Sequence, residues 1–277
     1  ERLQKLHPKE IDLSLDRTKN LLEKLGNPQN KINCISIVGT NGKFSTIQAL
    51  YAILKKANYK CNIYTSPHIL RINERFIFNN KPLTDSELAN LFFEIEDAND
   101  GVQITFFEIL TVAYFHYARK YPRNINLIES GLFHRFDATN ILEKNLASIV
   151  TAIGLDHLDW LPKEEQTVKK IIFEKTSTLL NSKIIVAKQS SNEISKSIED
   201  TIKDNSSKKI IFNKNYNFTL KENDFFYFED EFGALKLPKP NLPGEFQLEN
   251  VSTAIATARQ LTDYKITDEH IKSGITK

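Results

Sequence analysis

The 277-residue chain carries 37 Lys and Arg against 35 Asp and Glu, a formal net charge of +2, and 40% hydrophobic residues. This length allows a large α/β domain with a substantial core, and the near balance of charge gives no electrostatic reason for a nucleic-acid partner. No apolar run approaches the roughly 20 residues of a spanning helix and the first residues lack a signal-peptide core, so no membrane association is expected.

Cys34 and Cys61 each sit in a strand-like run and read as buried free thiols of a reducing compartment, which makes a cytoplasmic protein the expectation. There is no methionine, even at position 1, so an incomplete chain is expected.

Taken in order, Asp12 to Leu25 has apolar residues at helical intervals and stops at Gly26-Asn27-Pro28. Cys34 to Val38 predicts the first strand, and Ser45 to Ala57 the helix after it. Lys60 to Tyr64 predicts a second strand, and Arg71 to Phe78 alternates as a third. Thr84 with Glu87, and Thr105 with Glu108, form capping patterns for helices reaching about Asp97 and Tyr117.

Buried-type strands are expected at Asn126 to Ile128 and Ala147 to Ile153, a helix over Lys163 to Leu180, and a strand at Lys183 to Ala187. From 190 to 240 a polar helix, a strand at Lys209 to Phe212 and aromatic strands suggest a small antiparallel appendage. Phe246 to Leu261 returns as an Ala-rich helix. Strands alternating with helices predict an α/β fold with a mainly parallel sheet covered on both faces.

Gly39-Thr40-Asn41-Gly42-Lys43-Phe44-Ser45-Thr46 joins the first strand to its helix. Two glycines bring backbone N–H groups toward anionic oxygens, Lys43 adds charge, and Ser45 or Thr46 offers a hydroxyl to Mg²⁺. The spacing departs from the usual P-loop, so an ordinary βα turn remains the alternative. Three further motifs also begin where strands end: Thr65-Ser66-Pro67-His68, Glu129 onward, and Asp156-His157. In a parallel sheet all four open on the carboxyl edge, where ligands bind. Each residue also has a plainer reading: Ser66 as a turn former, His157 as a loop cap, Lys175 as an exposed helix residue, and Phe106, Phe107 and Phe136 as core.

Together these residues resemble the folylpolyglutamate synthase and dihydrofolate synthase enzymes of the Mur ligase superfamily. Gly39 to Ser45 resembles the family's GTNGKGS loop, Thr65 to His68 its SPH motif and Thr105 to Glu108 its TFFE motif. Glu129 to Asn140 is similar to ExGLGGRxDATN, Asp156 to Trp160 to DHxxWL, Glu174-Lys175 to the EKAG site, and Leu242 to Asn250 to LPGxxQxxN.

The resemblance implies a P-loop NTPase-like Mur ligase central domain that binds ATP and Mg²⁺ and joins L-glutamate to dihydropteroate or folate, as a monomer. It implies ATP contacts at Asn41, Gly42, Lys43, Phe44, Ser45 and Asn250. Metal ligation is implied for Ser45, Ser66, Glu129 and His157, with Lys175 joining them if carbamylated. Lys43, Glu129, His157 and Lys175 become the catalytic candidates. Glu10, Ile11, Asp12, Thr105, Phe106 and Phe136 match positions of a pteroate pocket. The family's C-terminal domain begins about where Lys277 ends the chain, so a catalytically incomplete piece is expected.

Phe44 stands in place of a loop glycine, Phe133-His134 in place of a Gly-Gly pair, and Thr176-Ser177 in place of Ala-Gly. These rings either stack on adenine or pterin or narrow the site. A Mur-type ligase for another substrate and a non-catalytic binding relative are the competing readings.

Overall fold

The computed structural model describes residues 3–6, 12–221, 224–241, 244 and 246–276. Glu10, Ile11, Leu242 and Pro243 lie outside the described residues.

The strands β1 (Asn33–Val38), β2 (Cys61–Tyr64), β5 (Ile125–Glu129), β6 (Ala147–Val150) and β7 (Lys183–Val186) are almost entirely buried, as parallel strands covered on both faces must be. With β3 (Phe76–Phe78), β4 (Lys81–Pro82) and β8 (Lys208–Ile211) they form an eight-stranded sheet in the order β4-β3-β2-β5-β1-β6-β7-β8. Every pairing from β2 to β8 is parallel, and β3 and β4 complete the edge antiparallel.

Alternate side chains of each strand point to opposite layers. Ile35, Ile37, Ile149 and Ile185 join the core under α2 (Lys43–Lys56), α7 (Phe246–Gln260) and α8 (Asp268–Ile275). Cys34 and Ile128 face the other way, into the core with α1 (Asp16–Lys24), α3 (Asp85–Asn99) and α4 (Phe106–Ala118). Val38, Val150, Ile184 and Val186 complete that second face against α5 (Val168–Thr176) and α6 (Asn192–Ile202).

Both expected capping boxes form: the Thr84 and Thr105 side chains accept from Glu87 and Glu108 N–H, and those carboxylates return to the cap N–H. Several boundaries move for tertiary reasons. The first helix begins at Asp16 instead of Asp12, because Arg17 donates to both Asp12 Oδ2 and Asp12 O at 2.9 Å and holds residues 12–14 outside it. Ile72–Arg75 is a 3-10 turn instead of strand, fixed by the Glu74 carboxylate accepting N–H bonds from Ile69, Leu70 and Arg71.

Thr167 caps α5 and splits the expected Lys163–Leu180 helix. The strand from Ala147 stops at Val150, since Ala152 O accepts from Thr40 and Asn41 N–H. The expected 190–240 appendage is smaller. α6 and β8 continue the parallel sheet, and only β9 (Tyr216–Leu220), β10 (Phe225–Asp230) and β11 (Gly233–Pro238) form a separate antiparallel sheet. α8, which the sequence reading passed over, has a signature in Thr267, Asp268 and Glu269: a cap followed by acidic residues.

Candidate active site

Because β1, β2, β5 and β6 run parallel, the loops after them share one edge of the sheet, as expected. The loop after β1 enters α2 through Gly42, at φ 84°, with no side-chain cap on the helix N-terminus. The first-turn N–H groups of α2 therefore face the loop, the arrangement that receives phosphate. Gly42 is also required sterically, since a Cβ there would meet Asn250 Oδ1 at 2.2 Å. This brings Asn250, from α7, directly against the loop. Ser45 is half-buried on the first turn of α2, whereas Thr46 is fully buried, so Ser45 is the hydroxyl available at this edge.

Two lysines meet at this loop. Lys43 Nζ donates to Gly39 O and Thr40 O at 3.2 Å and lies 3.8 Å from Glu129 Oε1. Lys175 Nζ, on α5 and 1% exposed, donates to the same Gly39 O at 2.9 Å. Burial, reinforced by the charge of Lys43, pulls the Lys175 amine down to about 8. Its neighbour Glu174 turns away to a bidentate pair with Arg135 at 2.8 Å.

Glu129 ends β5. Its Oε2 accepts from Ser66 N–H at 3.1 Å, and burial pushes its carboxyl above the ordinary value against the pull of Lys43. His157 follows on the loop after β6, 3.2 Å from Asp156 and edge-on to Phe133. Burial lowers its imidazole, with Asp156 opposing.

A cavity of about 440 Å³ adjoins these groups. Asp12, Thr105, Phe106 and Phe136, nominated above for a pteroate pocket, all line it, and so do Ser66 and His157. The carboxylate of Asp137, buried in that lining, accepts from Gly131, Leu132 and Thr139 N–H at 2.9–3.0 Å.

The replacement rings behave differently from one another. Phe133 and His134 fold inward, each 3% exposed, and neither lines the cavity. Phe133 takes φ 54° and packs into the core beside α5, 5.7 Å from Lys175 Nζ, while His134 bonds Ser130 Oγ at 3.0 Å. They therefore neither stack in the cavity nor narrow it. Phe44 points outward and is 57% exposed. Sequence reasoning gave Arg75 no role and Asp137 none beyond its motif, because local pattern does not reveal which side chain a loop turns inward.

A glycine loop before an uncapped helix N-terminus, a buried Lys–carboxylate pair and an adjoining cavity with aromatic lining at the carboxyl edge of a parallel sheet place the chain among α/β proteins with a phosphate-loop type of site. No protein-family model matches the chain. It is 31% identical over 274 residues to a dihydrofolate synthase/folylpolyglutamate synthase of Escherichia coli, covering 99% of this chain and 62% of that one. It is 30% identical to the Bacillus subtilis protein of the same name, covering 95% and 64%.

Among solved structures, Escherichia coli FolC in complex with DHPP and ADP superposes with a TM-score of 0.86 at 30% identity, over 99% of this chain and 64% of that one. A Yersinia pestis bifunctional folylpolyglutamate synthase/dihydrofolate synthase complexed with AMPPNP and Mn ion gives 0.86 at 28% identity, over the same shares. The chain belongs to the dihydrofolate synthase/folylpolyglutamate synthase family, and it spans less than two thirds of the length of these relatives.

Proposed function

We propose that this protein is an ATP-dependent ligase that joins L-glutamate to dihydropteroate, folate or both. The observation that carries the reading is that two residues link the aromatic cavity to the glycine loop. Ser66 lines the cavity while its N–H holds Glu129, which in turn lies 3.8 Å from Lys43. A ligand carboxylate in the cavity thus comes beside a nucleotide's terminal phosphate.

A carboxylate is a poor electrophile. Its oxygen attacks the γ-phosphorus and ADP departs with the bridging oxygen. The glutamate amine then attacks the acyl carbon, losing a proton, and phosphate leaves. Both steps crowd negative charge. Lys43 and the open N-terminus of α2 offset it on the phosphate side.

Among the described residues no group of three His, Cys, Asp or Glu stands ready for a metal ion. The buried Glu129 carboxylate, which accepts the Ser66 N–H, and the donors of Ser45, Ser66 and His157 on elements that open at the same sheet edge are of the kind that would hold a divalent cation. A Mg²⁺ ion held by these residues would supply counter-charge to the phosphates and the carboxylate. A Lys175 amine at about 8 has a neutral fraction whose nitrogen could add to the carbon of CO₂ with loss of one proton to solvent, and the carbamate so formed would replace a buried cation by an anion.

Phe106, Phe136 and Asp12, which line the cavity, are assigned to the pterin, and Asn41 and Phe44 of the glycine loop, with Asn250 against Gly42, to the nucleotide. The test has two parts. Calorimetry of this chain with ATP and Mg²⁺, and with dihydropteroate, should show binding of each. Phosphate release from ATP by the protein should require dihydropteroate or tetrahydrofolate together with L-glutamate. Phosphate release indifferent to both would reject the ligase reading.

A further inference from the structure

Arg75 is a buried cation in the cavity with no role in the chemistry above. It closes the 72–75 turn just before β3, whose pairing with β2 sets Tyr64 opposite Phe76 and brings Arg75 beside the Thr65–Ser66 loop. Only 8% of it is exposed, yet among the described residues no carboxylate forms an ion pair with it. Its Nε donates to His68 Nδ1 at 2.9 Å, which uses the inner nitrogen and fixes the plane of the guanidinium. Arg75 lines the cavity with Ser66, His68, Phe106 and Asp137, and Glu129 acts on it only at longer range.

A desolvated guanidinium with its terminal nitrogens unpaired is a strong demand for an anion, and Arg stays charged where a buried Lys would lose its proton. Asp137 does not meet that demand, because its oxygens are taken up by backbone N–H groups and Thr139. The planar fork matches a carboxylate bidentately.

We propose that Arg75 is the anchor for the carboxylate of the pterin-bearing substrate, gripping it at the end of the cavity that adjoins Ser66 and Glu129. This rests on the ligase reading. It assigns two of the site's cations to two anions: Lys43 serves the phosphates and Arg75 the acceptor carboxylate. The carboxylate is thereby held against its repulsion from the triphosphate, and an acid is selected over a neutral analogue of the same shape.

The test is equilibrium binding of dihydropteroate and of its carboxamide to this chain and to Arg75→Gln and Arg75→Lys, with thermal melts alongside. The unaltered chain should bind the acid well above the amide. Arg75→Gln should lose roughly tenfold to hundredfold affinity for the acid and leave the amide unchanged. Arg75→Lys should keep part of the preference, since charge persists without the fork. Equal loss of acid and amide, or no loss of acid, would overturn the assignment. If the unaltered chain binds neither ligand, the ligase reading fails first and this inference with it.

Discussion

Lys43 and Lys175 donate to one carbonyl, that of Gly39, at 3.2 and 2.9 Å. Two ammonium groups on a single acceptor repel, and the buried one carries the cost. Lys175→Met should therefore stabilise the fold by about 1–3 kcal/mol while abolishing the proposed ligase activity, a trade visible in thermal melts and phosphate release. The pH dependence has a definite sign. With Lys175 at about 8 when folded and 10.5 as the ordinary value, the unfolded chain binds the extra proton between those values. Stability attributable to Lys175 therefore rises from pH 8 toward 10.5, and the Met variant should lack that slope in urea titrations.

The contact of Gly42 with Asn250 ties the phosphate loop to α7. Gly42→Ala meets both the positive φ and the 2.2 Å approach to Asn250 Oδ1, so it should destabilise by about 1–3 kcal/mol and weaken nucleotide binding. Adding Asn250→Ala should recover the steric part and leave the backbone part, measured as a double-mutant cycle.

Arg17 bridges Asp12 Oδ2 at 2.9 Å and Glu108 Oε2 at 3.0 Å, which strap residues 12–14 onto the cavity rim. Arg17→Met leaves the buried Glu108 carboxylate without its cation. It should cost about 2–4 kcal/mol in chemical denaturation and weaken dihydropteroate binding. Arg17→Met with Glu108→Gln should return part of the stability.

His134 is buried, and its imidazole is pushed down to about 4, by burial first and then by Lys175. Between pH 6.5 and 4 the unfolded chain takes a proton that the folded one refuses, so stability falls as pH drops through that window. His134→Asn should flatten this acid limb in denaturation curves. An unchanged limb would place the acid sensitivity in other groups.

Glu129→Gln removes the negative charge proposed to face Mg²⁺ and Lys43. ATP binding by this variant should lose most of its Mg²⁺ dependence, by roughly tenfold or more in calorimetry with and without the ion. Tyr64 and the core beneath should be undisturbed, because the Ser66 N–H bond to the side chain survives.

Much of this molecule is written locally. The runs at Cys34–Val38, Ala147–Ile153 and Lys183–Ala187, with the capping pairs Thr84–Glu87 and Thr105–Glu108, predict the alternating fold. Parallel strands then force the four loops to one edge, so Lys43, Ser66, Glu129 and His157 could be nominated before any coordinates. These signals are legible because hydrophobic period and capping chemistry act within a few residues.

What tertiary structure alone decided depends on partners far apart in sequence. Arg17, anchored on Glu108, holds Asp12 and so sets where the first helix begins, Lys175 crosses to Gly39, and Asn250 closes on Gly42. The same holds for rings. Phe133 goes into the core because α5 offers it an apolar bed, whereas Phe44, on the outer face of α2, stays in water. The sequence by itself determined which elements form and which edge carries the chemistry. Only the packed chain determined which charges are desolvated and left facing a ligand, because desolvation is a property of all the atoms that surround a group.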